Sequence, residues 1–175
     1  GGGDEEGDEG LRQRVLSTFR RLPNGANAAW YEQTAMGHEG VAAARAVGRA
    51  RGIGTVDVYI ATAAGLPNGT LLAAVQADLQ ERREIAVDVQ VKAPAAVEMD
   101  VSAELAVREG ADFSAVKAAA EQALASFFSG RRLGGPVLLA ELGDLLYHVE
   151  GVENYRLLAP AADLAAEDGT LPMLG

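Results

Sequence analysis

The chain has 175 residues, 49% of them hydrophobic, with four Phe, four Tyr and one Trp, and a formal net charge of −10. That length predicts one to two domains able to bury roughly 70% of their unfolded surface. The absence of cysteine excludes disulfides and thiolate metal sites. No apolar run approaches the ~18 residues that would read as a membrane span, and the acidic balance disfavours nucleic acid and anionic membrane as partners. The chain begins with Gly1, which reads as a piece excised from something longer.

The charge is unevenly distributed. Residues 1–10 hold five carboxylates and no base, residues 11–95 carry a net +3, and residues 96–175 a net −8. Residues 1–10 cannot bury apolar surface and read as a flexible acidic lead-in. A calcium loop starting at Asp4 fails the template, because Glu9 stands where Gly is required and Val15 where a bidentate Glu belongs.

Leu11, Val15, Phe19 and Leu22 predict a helix closed by Pro23-Asn24-Gly25. A second helix follows, with Asn27 as N-cap and Trp30 as its main anchor. Val41–Arg49 predicts a strand, although its alanines also suit a helix, and Gly52-Ile53-Gly54 turns into the next. Val56–Ile60 and Val87–Val91 alternate apolar and polar residues with the period of a half-buried strand. Leu71, Leu72, Val75 and Leu79 make an apolar helical stripe between them, capped by Asn68 or Thr70. Beyond Pro94, Val97–Val107 is apolar at odd positions and mostly polar at even ones, predicting one long strand. Phe113–Phe127 predicts a helix capped by Asp112, Leu142–Val149 another, Val152–Leu158 a strand, and Pro160–Gly175 a Pro-containing tail. These alternations predict an α+β fold. It is built as two small strand–helix–strand units over 11–95 and 96–175, each a sheet with helices packed on one face, meeting near Ala93–Ala96.

Reactive chemistry is sparse. His38 and His148 lie 110 positions apart with no H-E-x-x-H spacing around either. His148, four residues after Asp144, reads as a surface pair. There is no G-x-S-x-G elbow, and Gly52-x-Gly54 precedes a strand where a dinucleotide loop precedes a helix. Arg82-Arg83 and Arg131-Arg132 are too short for a nucleic-acid track and suit helix C-termini. Trp30, Tyr59, Phe128, Tyr147 and Tyr155 are the side chains best able to anchor an interface, most of them expected in the core. Arg45, Arg49 and Arg51, clustered before the Thr55 strand, are the candidate partner contacts, placed to face carboxylates of a neighbour. No catalytic, cofactor-binding or metal residue is assigned, and no cofactor is expected.

Several segments in order resemble one family: LRQRVLSTFRRLPNGANAAWYEQTAM after the acidic lead-in, GTVDVYI, VDVQVKAP, the strand at Val97–Val107, and GVENYRLLAP. The chain is similar to the C-terminal portion of the Baseplate J-like proteins of contractile-tail phages and prophages, without the family's N-terminal region. It departs at Glu84, where members often have Pro after the basic pair, so the turn into the strand at Ile85 is expected to differ. The resemblance implies a structural, non-enzymatic wedge protein of the virion tail baseplate, assembled in the host cytoplasm. It implies contact with neighbouring copies, other wedge proteins and tail-fibre-linking proteins, and a part in signalling sheath contraction. Two other classes stay open from the residues alone. A small-ligand-binding or enzymatic α+β domain would require a pocket with convergent polar groups; a ferredoxin-like adaptor would share the strand–helix plan.

A direct check on the expected absence of metal or nucleotide dependence is thermal melting with EDTA, nucleotides or divalent ions. The melting temperature is expected to stay constant, and a rise of more than ~5 °C would overturn the expectation.

Overall fold

The computed structural model describes residues 27–175; the acidic lead-in, the rejected calcium loop and the helix expected over Leu11–Leu22 lie outside them. Helix α1 (Ala28–Met36) starts where Asn27 Oδ1 accepts the Trp30 N–H at 2.9 Å. Its anchor differs from expectation. Tyr31 is 1% exposed, whereas Trp30 is half-buried and meets Tyr31 edge-on at a 4.9 Å centroid distance. One residue is a 100° rotation about the helix axis, and that rotation turns Tyr31 rather than Trp30 onto the sheet.

Strands β1 (Ala43–Gly48), β2 (Thr55–Ala61) and β3 (Asp88–Lys92) form one sheet in that order, with helix α2 (Gly69–Arg82) crossing between β2 and β3. β1 runs antiparallel to β2, and β3 parallel to it, as a crossover helix requires. Asn68 caps α2 by accepting the Leu71 N–H at 2.9 Å. Both helices lie on one face, where Tyr31, Ala35, Val58, Ile60, Val75, Leu79 and Val89 form a core. Each fully buried aliphatic side chain there contributes about 1.5–3 kcal/mol.

Both edges of this sheet are occupied by helix side chains. The Gln76 amide of α2 lies along β3 like a further peptide unit, donating to Val89 O at 3.0 Å and accepting from Val91 N at 2.7 Å. On the other edge, Glu32 of α1 accepts from Ala46 N at 3.0 Å. Exposed strand edges otherwise template pairing with another chain.

The second half contains β4 (Ala95–Met99), β5 (Ser102–Val107), α3 (Phe113–Phe127), a 3-10 turn at Gly130–Arg132, α4 (Leu139–Tyr147), β6 (Val152–Ala159) and β7 (Thr170–Leu174). The architecture is α+β, as the alternating periods imply. The single strand expected over Val97–Val107 is two. β4 pairs in parallel with β7, and β5 in antiparallel with β6. Odd positions still face inward across the break, from Val97 to Val107. Alternation records which face is buried and carries no information on which strand sits alongside. The expected Pro-containing tail likewise holds a strand, in which Leu171 is 0% exposed.

Asp112 caps α3 through the Ser114 and Ala115 N–H groups. The N-terminus of α4 is held from both sides: Glu141 reaches back to Leu138 N at 3.4 Å, and Asp163 accepts from Leu139 N at 2.7 Å. Val116, Ala120, Leu124, Leu142 and Leu146 of the two helices pack with Met99 and Val152, and β5 and β6 cover them with Ala103, Leu105, Val107, Tyr155 and Leu157.

No hydrogen-bonded sheet among the described residues crosses from one half to the other. The halves meet through a seam on the face of the first sheet opposite its helices. There Ala61, Leu133 and Leu171 are buried together, flanked by Ala43, Tyr59 and Met173. Within the second half, Ala95 N donates to Gly169 O and Gly134 N to Thr170 O, each at 2.8 Å, which holds the loops that face the seam. Small residues make the approach possible. A Cβ on Gly130 would lie 1.8 Å from Thr62 O, and one on Gly169 would lie 2.8 Å from the Tyr59 ring. Gly130→Ala is therefore expected to force the seam apart and cost about 3 kcal/mol. Differential scanning calorimetry should show a fall of roughly 6–12 °C; an unchanged transition would mean that the seam does not contribute to stability.

Candidate functional site

The three candidate arginines occupy different environments. Arg51 sits in the β1–β2 turn, which is tied by Gly52 N to Arg49 O, Arg49 N to Thr55 O, and Thr55 Oγ1 to Gly52 O. From there its guanidinium turns inward. Nε donates to Asp57 Oδ1 at 2.7 Å, Nη1 pairs with the Asp88 carboxylate, and Nη2 donates to Asp88 O at 3.1 Å. Arg45 projects from β1 and makes a 3.5 Å ion pair across the seam with Asp168. Arg49 is exposed with φ at 62°, a left-handed backbone unusual for a residue with a Cβ. Its side chain has no carboxylate partner among the described residues.

Asp57 is the centre of the charged cluster, and the period-2 reading placed it on the exposed face of a half-buried strand. It is 2% exposed. Lys92 Nζ donates to its Oδ2 at 2.5 Å while Arg51 donates to Oδ1. Burial pushes the Asp57 carboxyl up, and the donors from Arg51 and Lys92 more than reverse this, holding it below the usual aspartate range. The cluster links the β1–β2 turn to both ends of β3, so it fixes the end of the sheet that displays Arg49. Two cations six and 35 residues from an aspartate on a strand were the available signal, but nothing in the strand pattern distinguishes a buried paired aspartate from a solvated one.

Other polar groups are similarly committed. Both histidines have carboxylate neighbours: His38 Nε2 is 3.0 Å from Asp78 Oδ2, and His148 Nδ1 is 3.2 Å from Asp144 Oδ1 on an exposed helix face. Arg82 joins the first pair at 3.2 Å from Asp78. Burial raises the Asp78 carboxyl, but His38 and Arg82 bring it below its ordinary value. Arg83 donates to the carbonyls of Glu84, Ile85 and Val87, so in this chain an arginine organises the turn containing Glu84. Arg132 pairs with Glu141 at 3.0 Å and stacks 3.6 Å over Phe127. Arg156 and Glu104 form an exposed two-pronged pair across β5 and β6, which solvent screening leaves worth little. Phe128 is buried and Tyr147 is 53% exposed, while Trp30, Tyr59 and Tyr155 are half-buried.

No group of three His, Asp or Glu side chains arranged to hold a metal ion occurs among the described residues. No helix of the described residues is long and apolar enough to cross a membrane. A concavity of about 570 Å³ is an open groove lined by Glu39, Thr62, Asn68 and Thr70 among alanines. Its Thr62 and Asn68 are already bonded to Gly65 O and Leu71 N, so these groups do not converge on a ligand.

A sheet with two helices on one face, a second α+β half docked on its back, and polar side chains spent on internal contacts define a scaffold. Residues 23–93 match the Baseplate J-like central domain and residues 99–175 the Baseplate J-like protein C-terminal domain. The chain belongs to the Baseplate J-like family. It is 25% identical over 186 residues to the phage-like element PBSX protein XkdT of Bacillus subtilis strain 168, covering 99% of this chain and 53% of that protein. It is 29% identical over 163 residues to baseplate protein J of Escherichia phage P2, covering 91% and 54%. The chain thus spans about half the length of these curated relatives. A chain of the cryo-EM structure of the anti-feeding prophage baseplate, 6-fold symmetrised, shares the fold with a TM-score of 0.67 at 12% identity, over 99% of this chain and 43% of that one.

Asp57 carries a folded-state pKa below its unfolded value, so its contribution is present above about pH 4 and is lost as pH falls through and below that range. Asp57→Asn is expected to lower stability at pH 7 by about 1–3 kcal/mol, leaving Arg51 and Lys92 facing a neutral group. Urea denaturation across pH 2–7 would measure this, the variant showing a flatter acid limb than the parent; parallel limbs would refute the assignment.

Proposed function

We propose that this chain is a structural component of a phage or prophage contractile-tail baseplate, contributing the central and C-terminal domains of a wedge protein to the virion tail. The observation that carries the reading is the pair of consecutive family matches covering residues 23–93 and 99–175. The physical character of the described residues supports it: polar side chains neutralise one another inside the fold, and Thr62 and Asn68 in the 570 Å³ groove are bonded to backbone. The reading is non-enzymatic. It takes residues 11–95 and 96–175 as two units, supported by their separate sheets and separate cores.

In this reading the partners are neighbouring baseplate proteins, copies of the chain itself and tail-fibre-linking proteins. Assembly takes place in the host cytoplasm before incorporation into the tail. Of the three candidate arginines, Arg49 is the one with no carboxylate partner among the described residues, and Arg45 is held by a single long, exposed pair. Arg51 serves the Asp57 cluster first, so reversing it would confound a contact with a folding defect.

Deleting the gene in a particle-producing strain is expected to abolish assembled contractile tails, with the full-length protein restoring them. Complementation with Arg45→Glu and Arg49→Glu together is expected to give folded protein and fewer assembled particles by negative-stain counting. Normal tails in the deletion strain would refute the baseplate role. Normal tails with the double variant would show that these two arginines only solvate a surface.

A further inference from the structure

Ordered structure runs up to a two-residue connection from both sides. In the first unit, Lys92 pairs in register with Tyr59, and its Nζ donates to Asp57 at 2.5 Å. In the second, Ala95 pairs with Thr170, and its N–H donates to Gly169 O at 2.8 Å. Ala93 and Pro94 stand between them. Pro94 is buried and its ring fixes φ, while Ala93 is exposed and its backbone is narrowed by the proline that follows. Torsional freedom is thus confined to one point, and rotation there carries the second unit as a body.

Little opposes that rotation. The seam buries Ala61, Leu133 and Leu171, three side chains against seven in the core of the first unit and ten in that of the second. Among the described residues no backbone hydrogen bond joins the halves, and Arg45–Asp168 is the ion pair that crosses between them. Interfaces within a chain permit relative motion of the units unless they are large and apolar. The contact is also steep. Thr62 O occupies the place of a Gly130 Cβ, and the Tyr59 ring lies against Gly169. Such surfaces either seat or part, because packed contacts do not deform continuously.

Arg45 stands at the rim of this contact. It lies opposite Tyr59 in the β1–β2 register, so its side chain shares the seam face. Its guanidinium is lodged against the 133–135 loop, where a Gly134 Cβ would lie 3.2 Å from Nε, and it meets Asp168 beside the glycine that covers Tyr59. The two side chains are 45% and 60% exposed, which opens the pair to screening by salt.

We infer that Arg45 and Asp168 form a latch on a hinge at Ala93: the second unit rotates between a seated and a parted position, and the pair sets the balance between them. An exposed ion pair biases such an equilibrium without locking it, and its loss shifts the ratio of parted to seated chains by about two- to fivefold. The device belongs to the single chain and does not depend on the baseplate reading.

The chain has no cysteine of its own, so introduced pairs carry spin labels without background. Ala77→Cys on α2 with Glu153→Cys on β6, both exposed, reports the distance between the units. Lys117→Cys with Glu153→Cys reports a distance inside the second unit. Double electron–electron resonance on the full chain is expected to give two distances for the first pair and one narrow distance for the second. Arg45→Ala should raise the ratio of the longer to the shorter inter-unit distance about two- to fivefold. Salt at about 0.5 M should move it the same way, as should Ala93→Gly, which frees the pivot. Exchanging the partners, Arg45→Asp with Asp168→Arg, should bring the ratio back towards the parent, as a direct pairing requires. A single inter-unit distance, or a ratio indifferent to Arg45→Ala, would overturn the inference. A ratio that the exchanged pair fails to restore would do the same. So would broadening of the control pair in step with the first, since the second unit would then be unfolding rather than rotating.

Discussion

The second half of the chain meets the first through a close approach of backbone to backbone. The 3-10 turn at Gly130–Arg132 comes down on the end of β2, where Thr62 O occupies the space that a side chain at Gly130 would need. Glycine at that point lets Leu133 and Leu171 reach Ala61, and glycine at 169 lets the loop before β7 lie against the Tyr59 ring. The seam is narrow because the residues in it are small. Its few close apolar contacts leave little room for adjustment, since tightly packed atoms transmit strain. The face of the first sheet that strand patterning assigns to water is thus shared between the seam and the Asp57 cluster.

Much of the local structure was readable from residue types because local rules act on neighbours. Asn27, Asn68 and Asp112 cap the helices they precede, since an unpaired helical N–H is satisfied by any acceptor two or three residues upstream. Alternation in Val56–Ile60 and Val97–Val107 gave the inward-facing positions correctly. What it could not convey was tertiary. The break at Asp100 arises because β4 and β5 have different partners, 75 residues away for β4 and 45 to 57 for β5, and β7 is a strand because β4 lies beside it. Tyr31 replaced Trp30 as anchor for the same reason: size predicts burial only when the helix rotation is known.

Charge was harder to read than apolar pattern. Arg45, Arg49 and Arg51 look equivalent along the chain, spaced within seven positions and all before a strand. The fold gives one to a buried aspartate, one to an ion pair across the seam and leaves one in solvent. A carboxylate two percent exposed and a carboxylate in water are written with the same letter, and only the position of Lys92 on the parallel neighbour strand distinguishes them. The family resemblance, by contrast, depended on the order of several weak motifs, and it survived these errors of placement because none of them altered the order.

Gln76 and Glu32, lying along the outer strands of the first sheet, have an effect that reaches beyond one molecule. Any assembly that brings sheet edges close together holds each edge at high local concentration next to the others. Open edges under those conditions would zip into continuous β-structure, an association too strong and too featureless to be rearranged. With an amide and a carboxylate already bonded at Val89, Val91 and Ala46, this sheet has fewer free main-chain groups to offer a neighbour. Pairing by main-chain addition is thereby disfavoured at these positions, and side chains are left as the surface a neighbour would meet.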